Sequence, residues 1–285
     1  LWLSRSVDNT PKLDCLPELL NVYQQLFHFI LEKGVQWVQI DEPILTLELD
    51  KRWQDAFEHT YQAFADNDVK TLLTTYFGSL GDNLHWVSQL PVGGFHVEAI
   101  SNLDDALFLT QSVKESEQLL SIGVIDGRNV WKSDLNSILN KIQPIADQLK
   151  DRLLLAPTCS LLHVPVDLDA ETGLHKDVKN WLAFAVQKLS ELVVLRDSIN
   201  IGRVAQEKAL LANYKAISAR QSSSLVHKSA IQQATKRINP DWYQRHSEFG
   251  VRKKLQQQRH QLPLFPTTSI GSFPQTAEIR QLRSA

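Results

Sequence analysis

The 285 residues include 43% hydrophobic and 22% charged side chains, with 7 Trp, 11 Phe and 5 Tyr; this balance supplies a packed core and excludes a disordered chain. Cys15 and Cys159 lie far apart and form neither a CxxC pair nor a disulfide framework, so a reducing cytoplasm is the expected compartment. No apolar run reaches the roughly 18 residues of a membrane span, and no basic segment followed by an apolar stretch opens the chain as a signal peptide would.

The net charge of −2 hides an asymmetry: residues 201–285 hold 14 Lys+Arg against 4 Asp+Glu, which leaves residues 1–200 strongly acidic. The basic residues are scattered and carry no nucleic-acid module signature. Docking on the acidic part of the same chain is therefore expected, not nucleic-acid binding. The sequence contains no Met; its start at Leu1 is expected to be a cut N-terminus, and its end at Ala285 an interruption.

Taken in chain order, a helix is expected over 17–33, with Pro17 near its start and Gly34 just past its end. A strand follows at 35–40, then a helix from the Asp50 N-cap to Ala65. Strand 71–76, helix 83–89, strand 95–99, helix 103–112 and strand 119–125 come next. Ser133 is the expected cap of a helix running to Leu149, and 153–157 is a fifth strand. Two long helices are expected over 177–199 and 203–219, then a Gln/Ser/Lys/Arg-rich stretch to 262 with helical pieces broken at Asn239-Pro240. From Pro263 to Thr276 a proline-bracketed apolar strand ends in a Gly-Ser turn, as the first strand of a new domain would.

Repeated strand–helix units with unalternated apolar strands imply a parallel sheet covered by helices. No Gly-rich phosphate loop follows a strand. Ionisable residues instead collect at strand C-termini: Asp41, Glu42, Tyr76, Glu98, Asp126 and Cys159. Both features favour a (β/α)8 TIM barrel over a doubly wound sheet. Five strands cannot close eight, so a partial barrel is expected, its remaining strands upstream of Leu1.

Several groups could carry chemistry. Asp41-Glu42-Pro43 follows a strand, where carboxylates can bind an amine, act as a base or simply cap the next turn. Glu98 and Cys159 could share one mouth with Tyr76, and His96 points to the same face as Glu98 but deeper. Too few ligands are present for the three or four that zinc needs. Cys159 and His163 could form a nucleophilic pair, but no third group orients them and a satisfied loop histidine is favoured. In Ile270-Gly271-Ser272 the glycine permits close backbone approach, and the serine adds a hydroxyl and N–H groups suited to a carboxylate.

Three segments together resemble cobalamin-independent methionine synthase, the 5-methyltetrahydropteroyltriglutamate–homocysteine methyltransferase family. They are Trp37-Val38-Gln39-Ile40-Asp41-Glu42-Pro43, Asp126-Gly127-Arg128-Asn129-Val130-Trp131 and the run from Pro266 to Thr276. Cys159-Ser160-Leu161-Leu162-His163 agrees as well. The resemblance implies two face-to-face (β/α)8 barrels, with residues 1–211 the later part of the first, 212–262 a basic helical connector and 263–285 the opening of the second. It implies methyl transfer from 5-methyltetrahydrofolate polyglutamate to homocysteine held as a zinc-bound thiolate. Ile270, Gly271 and Ser272 match the family's first homocysteine-binding segment. The zinc ligands and catalytic histidine fall beyond Ala285, Glu98 and Cys159 stand at vestigial ligand positions, and the chain alone should be inactive.

Two other readings follow from the residues. One is a non-catalytic scaffold barrel supporting a catalytic partner domain. The other is a barrel glycosidase using Glu42 and Glu98, which requires the two carboxylates to face one cleft about 5–9.5 Å apart.

Overall fold

A computed structural model describes residues 1–268 and 275–284. Its described residues fall into two compact units, one from Leu1 to Val226 and one from His227 onward.

The first unit opens with helix α1 (Leu16–Glu32), whose Pro17 sits in the first turn, where its missing N–H costs nothing. Gly34 follows with φ +77, the left-handed conformation that ends a helix cheaply only in glycine. Strand β1 (Trp37–Asp41) leads to α2 (Lys51–Ala65), capped as expected by the Asp50 carboxylate, which accepts from Trp53 N–H. Then come β2 (Lys70–Thr74), the short α3 (Leu84–Val87), β3 (Gly94–Glu98), α4 (Asp104–Val113), β4 (Leu119–Ile125), α5 (Leu135–Leu149) and β5 (Leu153–Pro157).

Two expectations about helices need correction. The cap of α5 is Asp134 and not Ser133: the Asp134 side chain accepts from Ser137 N–H. Ser133 instead gives its N–H to Glu191. The helix expected over 177–199 is broken into α6 (Lys176–Trp181) and α7 (Ala185–Asn200). Between them Leu182 forms an antiparallel bridge with Trp131, flanked by bonds from Lys132 N–H to Trp181 C=O and Ala183 N–H to Val130 C=O. Those backbone bonds to the β4–α5 loop displace helical ones. Helix α8 (Glu207–Ser222) completes the unit.

The five strands form one parallel sheet in the order β1-β2-β3-β4-β5. It is α/β as expected, but the sheet is open: β1 and β5 each pair on one side only among the described residues. One face packs against the helices, with Leu73, Phe95, Val97, Leu120, Ile122 and Ile125 in a continuous core. The other carries a transverse row set by the strand register, Asp41 beside Thr74, Thr74 beside His96 and His96 beside Ser121.

The second unit holds α9 (Ser229–Lys236), α10 (Phe249–His260) and α11 (Ala277–Ser284), none with a buried residue. The strand expected between Pro263 and Thr276 has no counterpart in residues 263–268, and its centre, with Ile270, Gly271 and Ser272, lies outside the described residues.

Candidate functional site

A cavity of about 710 Å³ opens on the face of the sheet not covered by helices, toward the C-terminal ends of the strands. It is lined from β1 by Gln39 and Asp41, from β2 and its loop by Leu72, Thr74, Tyr76 and Phe77, and from the centre by His96 and Ser121. Cys159, Ser160 and His163, in the loop after β5, close the far wall. Strand alternation explains the selection. Residues two apart along a strand share a face, so Gln39 and Asp41 point inward together while Ile40 and Glu42 point to the helices.

That alternation separates Asp41 from Glu42. The Asp41 carboxylate is exposed in the cavity, where it accepts from Gln39 Nε2 at 2.7 Å and from Tyr76 Oη at 3.5 Å. Burial, and then the Asp41 charge beside it, push the Tyr76 phenol above its ordinary value. Glu42 instead enters a second, mainly apolar cavity among Leu16, Leu20, Trp53 and Phe57. Its carboxyl is raised to about 7 by loss of solvent; the positive chain terminus at Leu1 opposes the shift and the neighbouring Asp41 charge adds to it.

His96 lies at the floor, 5% exposed, with Nδ1 2.8 Å from Ser121 Oγ. Burial lowers its pKa to about 4, against the pull of Asp41, so the ring is neutral at physiological pH.

Glu98 stands on β3 but not in the cavity wall; its carboxylate accepts from Ser101 Oγ, and burial raises its pKa. Cys159 is buried at the cavity edge, its thiol raised chiefly by burial and so held in the unreactive protonated form. No hydrogen bond joins Cys159 to His163 among the described residues. His163 sits edge-on to Phe77, with ring centroids 5.7 Å apart. The Cys–His pair is not assembled. Glu42 and Glu98 do not face one cleft, which removes the carboxylate geometry of a glycosidase.

No group of three or more His, Cys, Asp or Glu able to hold a metal ion occurs among the described residues. Glu98 and Cys159 alone do not fit zinc, which takes three or four ligands.

The rim contains features that sequence reading missed. Phe77 is half exposed and has φ +74, an uncommon conformation for a bulky residue. The Arg128 guanidinium lies 4.7 Å from its ring centroid. Arg128 is placed by the Asp126-Gly127-Arg128-Asn129 loop: the Asp126 carboxylate accepts from Arg128 N–H at 2.7 Å and from Asn129 Nδ2 at 2.6 Å. Gly127 N–H donates to Thr158 Oγ1. A β-carbon at Gly127 would stand 2.8 Å from the Cys159 carbonyl oxygen, which explains the glycine in that segment. Lys188 is fully buried behind the loop and reaches Trp131 C=O and Asn129 Oδ1.

Residues 1–150 match the family model described as the cobalamin-independent synthase, N-terminal domain. The chain belongs to the cobalamin-independent methionine synthase family. It is 44% identical over 286 residues to a protein of Saccharophagus degradans named 5-methyltetrahydropteroyltriglutamate–homocysteine methyltransferase. That match covers all of this chain but 37% of the relative. Among solved structures, a putative vitamin-B12 independent methionine synthase from Listeria monocytogenes aligns at TM-score 0.48 and 16% identity, over 67% of this chain and 57% of that one. The segments on which the resemblance was read include Asp41-Glu42-Pro43 and Asp126 to Trp131, both within the matched 1–150. No helix among the described residues is long and apolar enough to cross a membrane.

Proposed function

We propose that this chain is part of a longer methyltransferase of methionine biosynthesis, which moves the methyl group of 5-methyltetrahydrofolate polyglutamate directly to homocysteine. The observation that carries the reading is the 44% identity running across the whole chain to a relative of that name. In this reading the open sheet is one side of a (β/α)8 barrel that continues in the longer protein. The unpaired edges of β1 and β5 are flanked by helices with exposed apolar stripes, Leu19, Val22 and Leu26 on α1 and Val186, Leu189 and Val193 on α7. Exposed stripes beside free strand edges are what further strand–helix units would cover.

Residues 1–211 then belong to the first barrel, 212–262 to a basic connector and 263–285 to the start of a second barrel. Ile270, Gly271 and Ser272 would meet homocysteine there. The reaction needs the homocysteine sulfur as a thiolate, although a free thiol of pKa about 8.5 is mostly protonated at neutral pH. The family resemblance assigns that activation to zinc. The described residues hold no ligand set for it, and in this reading Glu98 and Cys159 stand at vestigial ligand positions. What these residues do supply is a partly apolar wall carrying the Asp41 carboxylate, and a placed Arg128 at the rim. The cytoplasm is the expected compartment.

A chimaera tests this. These 285 residues replace the matching 286-residue segment of the Saccharophagus degradans relative, and methionine formation from homocysteine is measured. Retention of activity within about tenfold of the parent is expected; a folded, zinc-loaded chimaera with none would refute the reading.

A further inference from the structure

The cavity on the open face of the sheet contains one acidic side chain, Asp41, and no cationic side chain pairs with it among the described residues. Asp41 forms no ion pair among the described residues, and no Lys or Arg lines the cavity; Arg128 lies on the Phe77 ring, outside the wall. Gln39 fixes one carboxylate oxygen at 2.7 Å, while the 3.5 Å contact from Tyr76 Oη leaves the other with free acceptor capacity. Thr74, Ser121, Ser160 and the neutral, buried His96 can accept or donate hydrogen bonds without competing as cations, and His163 is on the far wall, edge-on to Phe77. Tyr76 and Phe77 present aromatic walls, and Leu72, Ala156 and Leu161 an apolar surface. Its volume falls in the range of small-molecule sites.

An oriented carboxylate without a cationic partner, beside aromatic rings and a short apolar surface, is complementary to an ammonium group with a carbon tail. The charge-assisted hydrogen bond and the ring quadrupole both favour the cation, and the tail leaves water. A carboxylate- or phosphate-bearing ligand would instead meet Asp41 as a like charge. We infer that this cavity binds a small primary ammonium compound, its –NH₃⁺ on Asp41 and its carbon chain against Leu72, Ala156 and Leu161. The inference concerns described residues of the first unit and does not depend on the methyltransferase reading.

The test is calorimetric titration of the 285-residue protein at pH 7.5 with n-butylamine, and with butan-1-ol as the uncharged isostere. Saturable one-to-one binding of butylammonium is expected, with none for the alcohol. Asp41→Asn should weaken it at least tenfold, while the exposed control Asp68→Asn leaves it unchanged. Because Asp41 is exposed, Asp41→Asn should melt within a degree or two of the parent, so lost binding is not lost folding. Absence of saturable binding at millimolar amine, equal binding of the alcohol, or undiminished binding by Asp41→Asn would each overturn the inference. None of these outcomes bears on methionine formation by the longer protein.

Discussion

Asp41 and Glu42 are neighbours in sequence, yet they occupy different solvents. The acidic dipeptide at a strand end was legible as a candidate site; that its two carboxyls diverge was implied by strand alternation, but only the register shows which one faces the cavity. Glu42 gives a pH prediction. Its folded pKa, raised to about 7 from 4.5, means that the folded state keeps the proton while the unfolded chain loses it. The cost of ionising it is absent below about pH 4.5, grows as pH rises, and is complete above about pH 7. Glu42→Gln should therefore gain stability over the parent across that window, by about 2–3 kcal/mol at pH 8. Urea unfolding of both proteins at pH 5 and pH 8 checks this; a constant difference would contradict it. Gly127 gives a packing prediction. A methyl 2.8 Å from the Cys159 carbonyl cannot be accommodated without moving backbone, so Gly127→Ala should cost about 1–3 kcal/mol in denaturant unfolding. The strain at Phe77 had no signal in the sequence, because φ +74 at an aromatic residue is set by its surroundings.

Elements with a strong local signal were legible, and those decided by a distant partner were not. The Asp50 cap of α2 and the Pro17/Gly34 ends of α1 depend on residues within one turn. Ser133 and Asp134 are both good caps, and the choice between them rests on Glu191, 58 positions away, which takes the Ser133 N–H. The break between α6 and α7 likewise depends on the Trp131 bridge, which no periodicity in 177–199 announces. Arg152 shows the same long-range logic. Its guanidinium donates to the carbonyls of Val113, Lys114, Ser116 and Gln118, gathering the C-terminal end of α4. Those carbonyls have no intrahelical partners, and a cation there also meets the negative end of the helix dipole. Arg152→Ala should cost about 2 kcal/mol, Arg152→Lys somewhat less, and amide exchange over 113–119 should accelerate in both. Unchanged exchange there would show the contacts to be idle.

At the scale of the whole molecule, the parallel α/β arrangement was legible because five short, mostly apolar segments are separated by helical stretches. The partial (β/α)8 barrel expected from the sequence is not confirmed: among the described residues the five strands form an open sheet. The segment most specific to the family reading, from Pro266 to Thr276, lies largely outside the described residues, so its site residues stand on resemblance alone. The proposed function needs a zinc ligand set, and the described residues hold no group of three or more His, Cys, Asp or Glu that could supply one. The direct measurement takes the purified 285-residue protein, supplied with zinc, homocysteine and 5-methyltetrahydrofolate triglutamate, and quantifies bound zinc per chain and methionine formed. Sub-stoichiometric zinc and methionine no higher than in a protein-free blank are expected. One zinc per chain together with sustained methionine formation would contradict that expectation.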